Sequence, residues 1–166
     1  MSAGRATIAW LVILATFIVA MLLSVYPLPF AWRWWRPEFV LMVAIYWIFT
    51  QPLRLSLLAL CLIGIFQDVL EGTPLGQHGL ALVIVAYIGL LSWQRVRNYS
   101  LWQQSCWVFV LIAISQLTDA WVQAMSGLPV SGLEFLIPAF ASACFWPVCY
   151  LTLEFICRRY QILSQV

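Results

Sequence analysis

The sequence predicts an all-α integral membrane protein with six transmembrane helices. Of the 166 residues, 64% are hydrophobic and only 8% are charged, whereas a soluble domain has about 25% charged and about 45–50% apolar residues. A chain of this size has too much surface to hide so much apolar material in one core. These observations exclude a soluble enzyme, a secreted disulfide-rich domain and a disordered tail.

Six apolar stretches form the predicted spans and together make one transmembrane domain. They are residues 7–26, 37–50, 53–70, 75–93, 101–125 and 135–156. A span needs about 20 mostly apolar residues. Span one exceeds the usual apolar region of a signal peptide and no A-x-A site follows it, so we expect it to be retained. Because the connections are short, the protein acts within the bilayer or through partners.

Span two is short. Its 14 residues cover about 21 Å at about 1.5 Å per residue, less than the roughly 30 Å of a bilayer core. Two interpretations are open: the helix begins earlier, within residues 32–35, or it is tilted and buried by its neighbours. The Gln51-Pro52 connection is expected to turn the chain directly into span three.

A glycine-rich turn joins spans three and four. Gly64 should allow the two helices to approach closely, and residues 72–76 should form a tight turn. Asp68 lies one helical turn before this connection and has two interpretations. It could bind a metal ion together with Glu71, one helical turn away, and with His78 or another hard ligand, or it could fix the turn or pair with Arg36. The second interpretation is favoured.

Span five carries a polar stripe. Gln116, Asp119 and Gln123 are spaced i, i+3 and i+7 and share one helix face. An ionisable group at bilayer depth costs about 2.5–3.5 kcal/mol, so it needs a partner or a cavity. The stripe either forms hydrogen bonds within the chain, for example to carbonyls freed by Pro138 and Pro147, or contacts a ligand or partner.

Span six contains Trp146-Pro147 near its middle, and the proline should kink the helix. At its end, Glu154 and Arg158 have the i, i+4 spacing of a helical ion pair. We expect this pair to be structural.

Arginine placement predicts the orientation. All eight basic residues are arginines, and cytoplasmic segments of membrane proteins carry the excess of such residues. Six lie on the side of the membrane that holds both termini, and two lie on the other. The six are Arg5, Arg54, Arg95, Arg97, Arg158 and Arg159, and the two are Arg33 and Arg36. Both termini are therefore predicted to be cytoplasmic. The absence of a basic run gives no support for a nucleic-acid partner.

Most of the acidic residues collect on the outer side. Five of the six carboxylates fall in the outer half of the predicted topology, beside Arg36. They are Glu38, Asp68, Glu71, Asp119 and Glu134. This asymmetry identifies an outer polar set in which Arg36, Asp68, Gln116 and Asp119 are the candidate functional residues.

The chain has no recognisable catalytic or cofactor motif. His78 is the single histidine, and no G-x-S-x-G, phosphate-binding loop, dinucleotide fingerprint or H-E-x-x-H is present. The cysteines lack a C-x-x-C pair and are interpreted as small core residues. They are Cys61, Cys106, Cys144, Cys149 and Cys157. We therefore predict no catalytic, cofactor or metal site.

Several separated motifs resemble the MreD family of rod shape-determining proteins. They are Arg36-Pro37, Tyr46-Trp47-Ile48 with Pro52, Gly64 to Asp68 followed by Gly72 and Leu75-Gly76, Arg97-Asn98 with Leu101-Trp102-Gln103-Gln104, Asp119, and Trp146-Pro147. Each motif is weak alone, but their order, their spread over most of the chain and the chain length are together specific.

The resemblance implies a non-catalytic protein of the bacterial inner membrane within the cell-wall elongation machinery, the elongasome, which drives peptidoglycan synthesis. It implies that MreC, a single-span protein with a periplasmic domain, is the direct partner. MreB filaments, RodA and penicillin-binding protein 2 would be indirect partners. It also implies a fold similar to the S component of energy-coupling-factor transporters, six-helix proteins that bind vitamins near the outer face.

Two functions of different classes follow. The first is a membrane scaffold that binds MreC and supports rod shape. The second is a small-molecule binding or transport protein of the S-component type, with the outer polar set as its pocket. A membrane enzyme ranks last because no nucleophile–base pair is recognisable.

Overall fold

The structure is a computed structural model that describes residues 3–26, 35–52, 54–127 and 136–160, with side chains from residue 7 onward. These residues form six helices and no strand, which confirms the predicted all-α class. The helices are α1 Ala3–Val25, α2 Phe39–Thr50, α3 Leu57–Glu71, α4 Gln77–Val96, α5 Leu101–Met125 and α6 Ile137–Arg159. The described part of the chain does not include Arg33, Glu134 or the side chain of Arg5.

Four of the helices, α1, α4, α5 and α6, are long and apolar enough to cross a membrane. The other two are shorter than the predicted spans. The 15 residues of α3 cover about 22 Å and the 12 residues of α2 cover about 18 Å. Both lengths are below the roughly 30 Å of a bilayer core.

Helix α2 is the buried centre of the molecule. It begins at Phe39, and its residues from Val40 to Phe49 are all buried. It packs against α1, α4, α5 and α6. An uninterrupted apolar sequence without a polar face suits a helix that is surrounded on every side. The interpretation of span two as a segment buried by its neighbours is confirmed, and the interpretation that it begins within residues 32–35 is wrong.

Helix α3 starts later than the predicted span because Ser56 caps it. The Ser56 Oγ accepts a hydrogen bond of 3.1 Å from the Ala59 N–H, which is the usual role of a serine at a helix start. At the other end, Gly72 adopts φ +69° and ends the helix. Gly76, with φ +94°, then leads into α4.

The predicted close approach of α3 and α4 is confirmed. A Cβ atom on Gly64 would lie 2.5 Å from both the N and the Cα of Gly79. Only a glycine at position 64 allows the backbones to come this close, and small residues have this role at many membrane helix contacts.

Aromatic side chains join α2 to its neighbours. Trp47 is fully buried, and its Nε1 donates a 3.0 Å hydrogen bond to Thr16 Oγ1 on α1. Tyr46 packs edge-on against Tyr150 of α6, with ring centroids 5.5 Å apart. Trp146 is likewise fully buried beneath these rings.

The cysteines differ in burial, whereas the prediction placed all five in the core. Cys157 is buried, but Cys106 and Cys144 are exposed on the helix surfaces. The expectation that all five are core residues is therefore wrong, because an apolar environment in a membrane protein is available outside as well as inside the fold.

Candidate functional site

Polar side chains from five helices or their ends meet at one end of the bundle, where α2 and α4 begin and α3 ends. We call this group the polar cluster. Its members are Arg36, Glu38, Gln67, Asp68, Glu71, Gln77, His78, Gln116, Asp119 and Ser142.

Asp68 is fully buried and caps the start of α4 from a neighbouring helix. Its Oδ2 accepts a 2.7 Å hydrogen bond from the Gly76 N–H. Its Oδ1 accepts from the His78 N–H at 3.0 Å and from Thr73 Oγ1 at 3.0 Å. The first N–H groups of a helix have no partner within the helix, and a carboxylate there is favoured by the helix dipole. Asp68 therefore fixes the turn between α3 and α4.

His78 links Asp68 to a second carboxylate. Its Nδ1 lies 2.7 Å from Asp68 Oδ1, and its Nε2 lies 3.8 Å from Glu71 Oε2. Because the carboxylate accepts the hydrogen bond, the Nδ1 atom carries a ring proton. The single histidine thus has a positioning role within the cluster.

Arg36 pairs with Glu71 and not with Asp68. The Arg36 Nη2 lies 3.6 Å from Glu71 Oε1, and Gln67 Nε2 donates to the same oxygen at 2.9 Å. The predicted Arg36–Asp68 alternative is wrong because Asp68 is enclosed by the turn, whereas Arg36 and Glu71 are both partly exposed.

Glu38 connects the start of α2 to α5 and α6. Its Oε1 accepts a 2.9 Å hydrogen bond from Gln116 Nε2, and its backbone N–H donates to Ser142 Oγ at 2.9 Å. Gln116 thus uses its amide on a carboxylate. The amide does not donate to a helix carbonyl freed by a proline, which was one interpretation of the polar stripe on α5.

Asp119 and Gln77 are two buried members of the polar cluster. Asp119 is 6% exposed and Gln77 is 2% exposed, and the two side chains interact. Asp119 also interacts electrostatically with His78, Glu38 and Asp68. Even so, Asp119 Oδ1 and Gln77 Oε1 have no hydrogen-bond donor among the described residues.

The structure therefore brings the four predicted residues to one end of the molecule, but gives each a partner outside the predicted set. Arg36 contacts Glu71, Asp68 contacts His78, Gln116 contacts Glu38, and Asp119 contacts Gln77. Sequence reasoning missed Gln77, whose only signal is its place directly after the Gly76 turn, at the start of a helix.

The chemistry available to the polar cluster is limited. Within residues 7–26, 35–52, 54–127 and 136–160, no group of three histidine, cysteine or acidic side chains is arranged to hold a metal ion. Asp68 is occupied by four donor groups, which leaves its oxygens little capacity to act as a base. The cluster is suited to holding helices in place.

A separate apolar cleft of about 760 Å³ lies between α1 and α6, with α2 as its floor. Its walls include Ala15 and Val19 of α1 and Val148 of α6, and Val43 lines its floor. None of the four predicted residues lines it. Thr16 also borders the cleft, but its hydroxyl is used by Trp47 and by the Ile13 carbonyl.

Comparison with known proteins gives one consistent result. The family model for rod shape-determining protein MreD matches residues 4–156. The chain is 29% identical over 158 residues to the Rod shape-determining protein MreD of Haemophilus influenzae (strain ATCC 51907 / DSM 11121 / KW20 / Rd), a match that covers 95% of this chain and 98% of the relative. No solved structure matches the chain.

Proposed function

Because the chain belongs to the MreD family of rod shape-determining proteins, we propose that it determines cell shape as a non-catalytic scaffold of the bacterial inner membrane. The observation that carries this proposal is the family match over residues 4–156. The scaffold would support the cell-wall elongation machinery and would have no chemical reaction of its own.

The proposed direct partner is MreC, which would contact this chain through its transmembrane and juxtamembrane segment. MreB, RodA and penicillin-binding protein 2 would be reached indirectly. Connections such as residues 72–76 and 97–100 are too short to form a docking domain, so helix surfaces and helix ends would provide the contact. Association of helices in lipid depends on close packing and hydrogen bonds.

The proposed orientation places both termini in the cytoplasm, and it places the polar cluster at the outer face. Five of the six arginines whose side chains the structure describes support this, because they lie at the opposite end of the bundle from the cluster. They are Arg54, Arg95, Arg97, Arg158 and Arg159. A partner with a periplasmic domain would then pass the cluster as it leaves the membrane.

A small-molecule binding function of the S-component type has less support. Such a site would use the polar cluster as a pocket, but the Asp68 carboxylate is enclosed by the turn that it holds. The cleft of about 760 Å³ is apolar and is lined by other residues. The scaffold is therefore the preferred function.

Native mass spectrometry of the protein, mildly extracted from its own membrane, tests the choice between the two functions. We expect co-elution with a single-span partner at fixed stoichiometry. A chain that elutes alone with a discrete small-molecule adduct would contradict the scaffold and favour the S-component type.

Tryptophan substitutions on the lipid-facing surface test the scaffold in cells. Ala15→Trp adds bulk in the cleft, and Ala124→Trp adds the same bulk to an exposed position of α5. The same substitution is made in turn at each exposed small residue. On one helix face, it should abolish rod shape while the amount of protein in the membrane is unchanged. Normal shape throughout the scan would refute the scaffold.

A further inference from the structure

We infer that the apolar cleft between α1 and α6 binds an anionic phospholipid. The acyl chain would lie in the cleft, and the phosphate would lie at the end of the cleft where α6 finishes, beside Arg159 and Tyr160. The cleft is separate from the polar cluster, and none of the described residues that line it is charged. The lipid would be a ligand that the scaffold function does not require.

The cleft is open to the bilayer and long enough for an acyl chain. Its walls run from Ile8 to Leu23 on α1 and from Phe145 to Tyr160 on α6, about 22 Å on each helix. One leaflet supplies half of the roughly 30 Å bilayer core, so an acyl chain of one leaflet fits lengthwise. An empty apolar space forfeits the dispersion contacts of the atoms around it, and membrane hydrocarbon would therefore fill the cleft.

The lining is suited to hydrocarbon and not to a polar ligand. The Thr16 hydroxyl donates to the Ile13 carbonyl and accepts a hydrogen bond from Trp47 Nε1. The Thr152 hydroxyl donates to the Val148 carbonyl at 2.7 Å. Both threonines that line the cleft thus use their hydroxyl protons within their own helices. Sites for polar small molecules instead present a few placed polar groups that fix the orientation of the ligand.

The volume of the cleft favours an acyl chain over a partner's helix. A helix 22 Å long and about 10–12 Å wide occupies roughly 1,700–2,500 Å³, whereas the cleft holds about 760 Å³. More than half of such a helix would lie outside the cleft. An acyl chain is much thinner, so α1, α2 and α6 would enclose it on three sides.

The basic end of the cleft provides charge complementarity to a phosphate. Tyr160 lines the cleft at this end. Arg159 continues the α6 wall, because it follows Ile156 by three residues and Thr152 by seven, a spacing that keeps residues on one helix face. Among the described residues, Arg159 has no hydrogen-bond or ion-pair partner. Basic groups of this kind between transmembrane helices bind anionic lipid headgroups.

The neighbouring arginine and the far end of the cleft do not offer the same site. Arg158 Nε donates to Glu154 Oε1 at 3.1 Å, and neither residue lines the cleft. At the far end, the lining residues are Leu23, Phe39 and Phe145. The phosphate is therefore assigned to the end that carries the unpaired arginine.

The test is native mass spectrometry of the purified full-length chain in detergent, titrated with phosphatidylglycerol or with phosphatidylcholine of the same acyl chains. The wild type should bind the anionic lipid more tightly. Arg159→Gln should weaken phosphatidylglycerol binding about fivefold, as expected for one arginine near a lipid phosphate, and should leave phosphatidylcholine binding unchanged. Arg158→Gln is the matched control, since it removes the same charge at the same helix end. It should keep the wild-type affinity for both lipids.

Ala15→Trp tests the position of the acyl chain. Ala15 is an exposed residue of the α1 wall, and an indole there would fill space that the chain needs. Binding of both lipids should fall at least about tenfold, since steric overlap in a packed site typically costs more than the 1.4 kcal/mol that corresponds to tenfold. Ala124→Trp, with the same bulk on the exposed surface of α5, should bind both lipids as the wild type does. Because Arg159 is exposed, Arg159→Gln decides the outcome even where Ala15→Trp fails to fold.

Three results would overturn the inference. The first is equal binding of phosphatidylglycerol by the wild type, Arg159→Gln and Ala15→Trp, which would mean that lipid coats the surface without a site. The second is lipid binding that Ala15→Trp keeps while it loses a co-purified single-span partner, which would assign the cleft to the partner's helix. The third is lipid binding that Ala15→Trp keeps and Asp119→Asn loses, which would place the lipid at the polar cluster. Failure to co-purify any partner would refute the scaffold alone.

Discussion

Gly64 and Gly79 bring the backbones of α3 and α4 into direct contact, since a Cβ atom on Gly64 would lie 2.5 Å from the Gly79 Cα. The contact lies one helical turn from Asp68, whose carboxylate holds the start of α4. The glycine pair sets the distance between the two helices, and the aspartate sets the geometry of the turn between them.

Gly64→Ala should therefore destabilise the protein. The added methyl group would collide with backbone atoms that cannot move aside as a side chain can, and overpacking of this kind typically costs about 1–3 kcal/mol. Thermal unfolding of the purified protein measures the effect. Gly79→Ala is a milder variant for comparison, because the nearest neighbours of its Cβ atom would lie at 3.2 Å. It should cost less, and equal effects would contradict the assigned contact.

Asp68→Asn should lower the free energy of unfolding by about 3 kcal/mol, as expected when one partner of a buried charged interaction is removed. An asparagine can accept only part of the four hydrogen bonds, and its NH₂ group would face the N–H of Gly76 or His78. Thr73→Val removes one donor and should cost about 1 kcal/mol. Chemical unfolding in detergent distinguishes the two. An Asp68→Asn protein as stable as Thr73→Val would show that the carboxylate is not the organiser of the turn.

Arg36→Gln should change the free energy of unfolding by no more than about 1 kcal/mol, because its ion pair with Glu71 is partly exposed. Arg36 belongs to the polar cluster that the proposed partner would pass, so the same variant should reduce the amount of co-purified partner. The two measurements together separate the roles. A large loss of stability without loss of the partner would assign Arg36 to the fold alone.

Thr16→Val should destabilise the packing of α1 on α2 by about 1–3 kcal/mol, because it leaves the buried Trp47 Nε1 without an acceptor. In a Trp47→Phe background the same change should cost less, since the donor is then absent. A double-mutant cycle by thermal unfolding measures this coupling. Additive effects would show that the hydrogen bond contributes nothing to the packing.

Local sequence features predicted those parts of the fold that depend on a single helix. Apolar composition identified the helices, and Gly64 indicated a close approach before its neighbour was known. The i, i+4 spacing predicted the ion pair in which Arg158 Nε donates to Glu154 Oε1 at 3.1 Å. These features follow from the helical repeat, which is the same wherever the helix packs.

Partner choice in the polar cluster was decided by tertiary structure. The sequence alone identified Arg36, Asp68, Gln116 and Asp119 as residues that need partners, because charged and polar groups in an apolar chain cannot stay unsatisfied. It did not indicate that Arg36 pairs with Glu71, or that Gln116 reaches Glu38, 78 positions away in the chain. Those pairings depend on how each helix is rotated and shifted along its axis relative to the next. The packing of the whole bundle sets these two quantities, and the pattern within a single helix does not contain them.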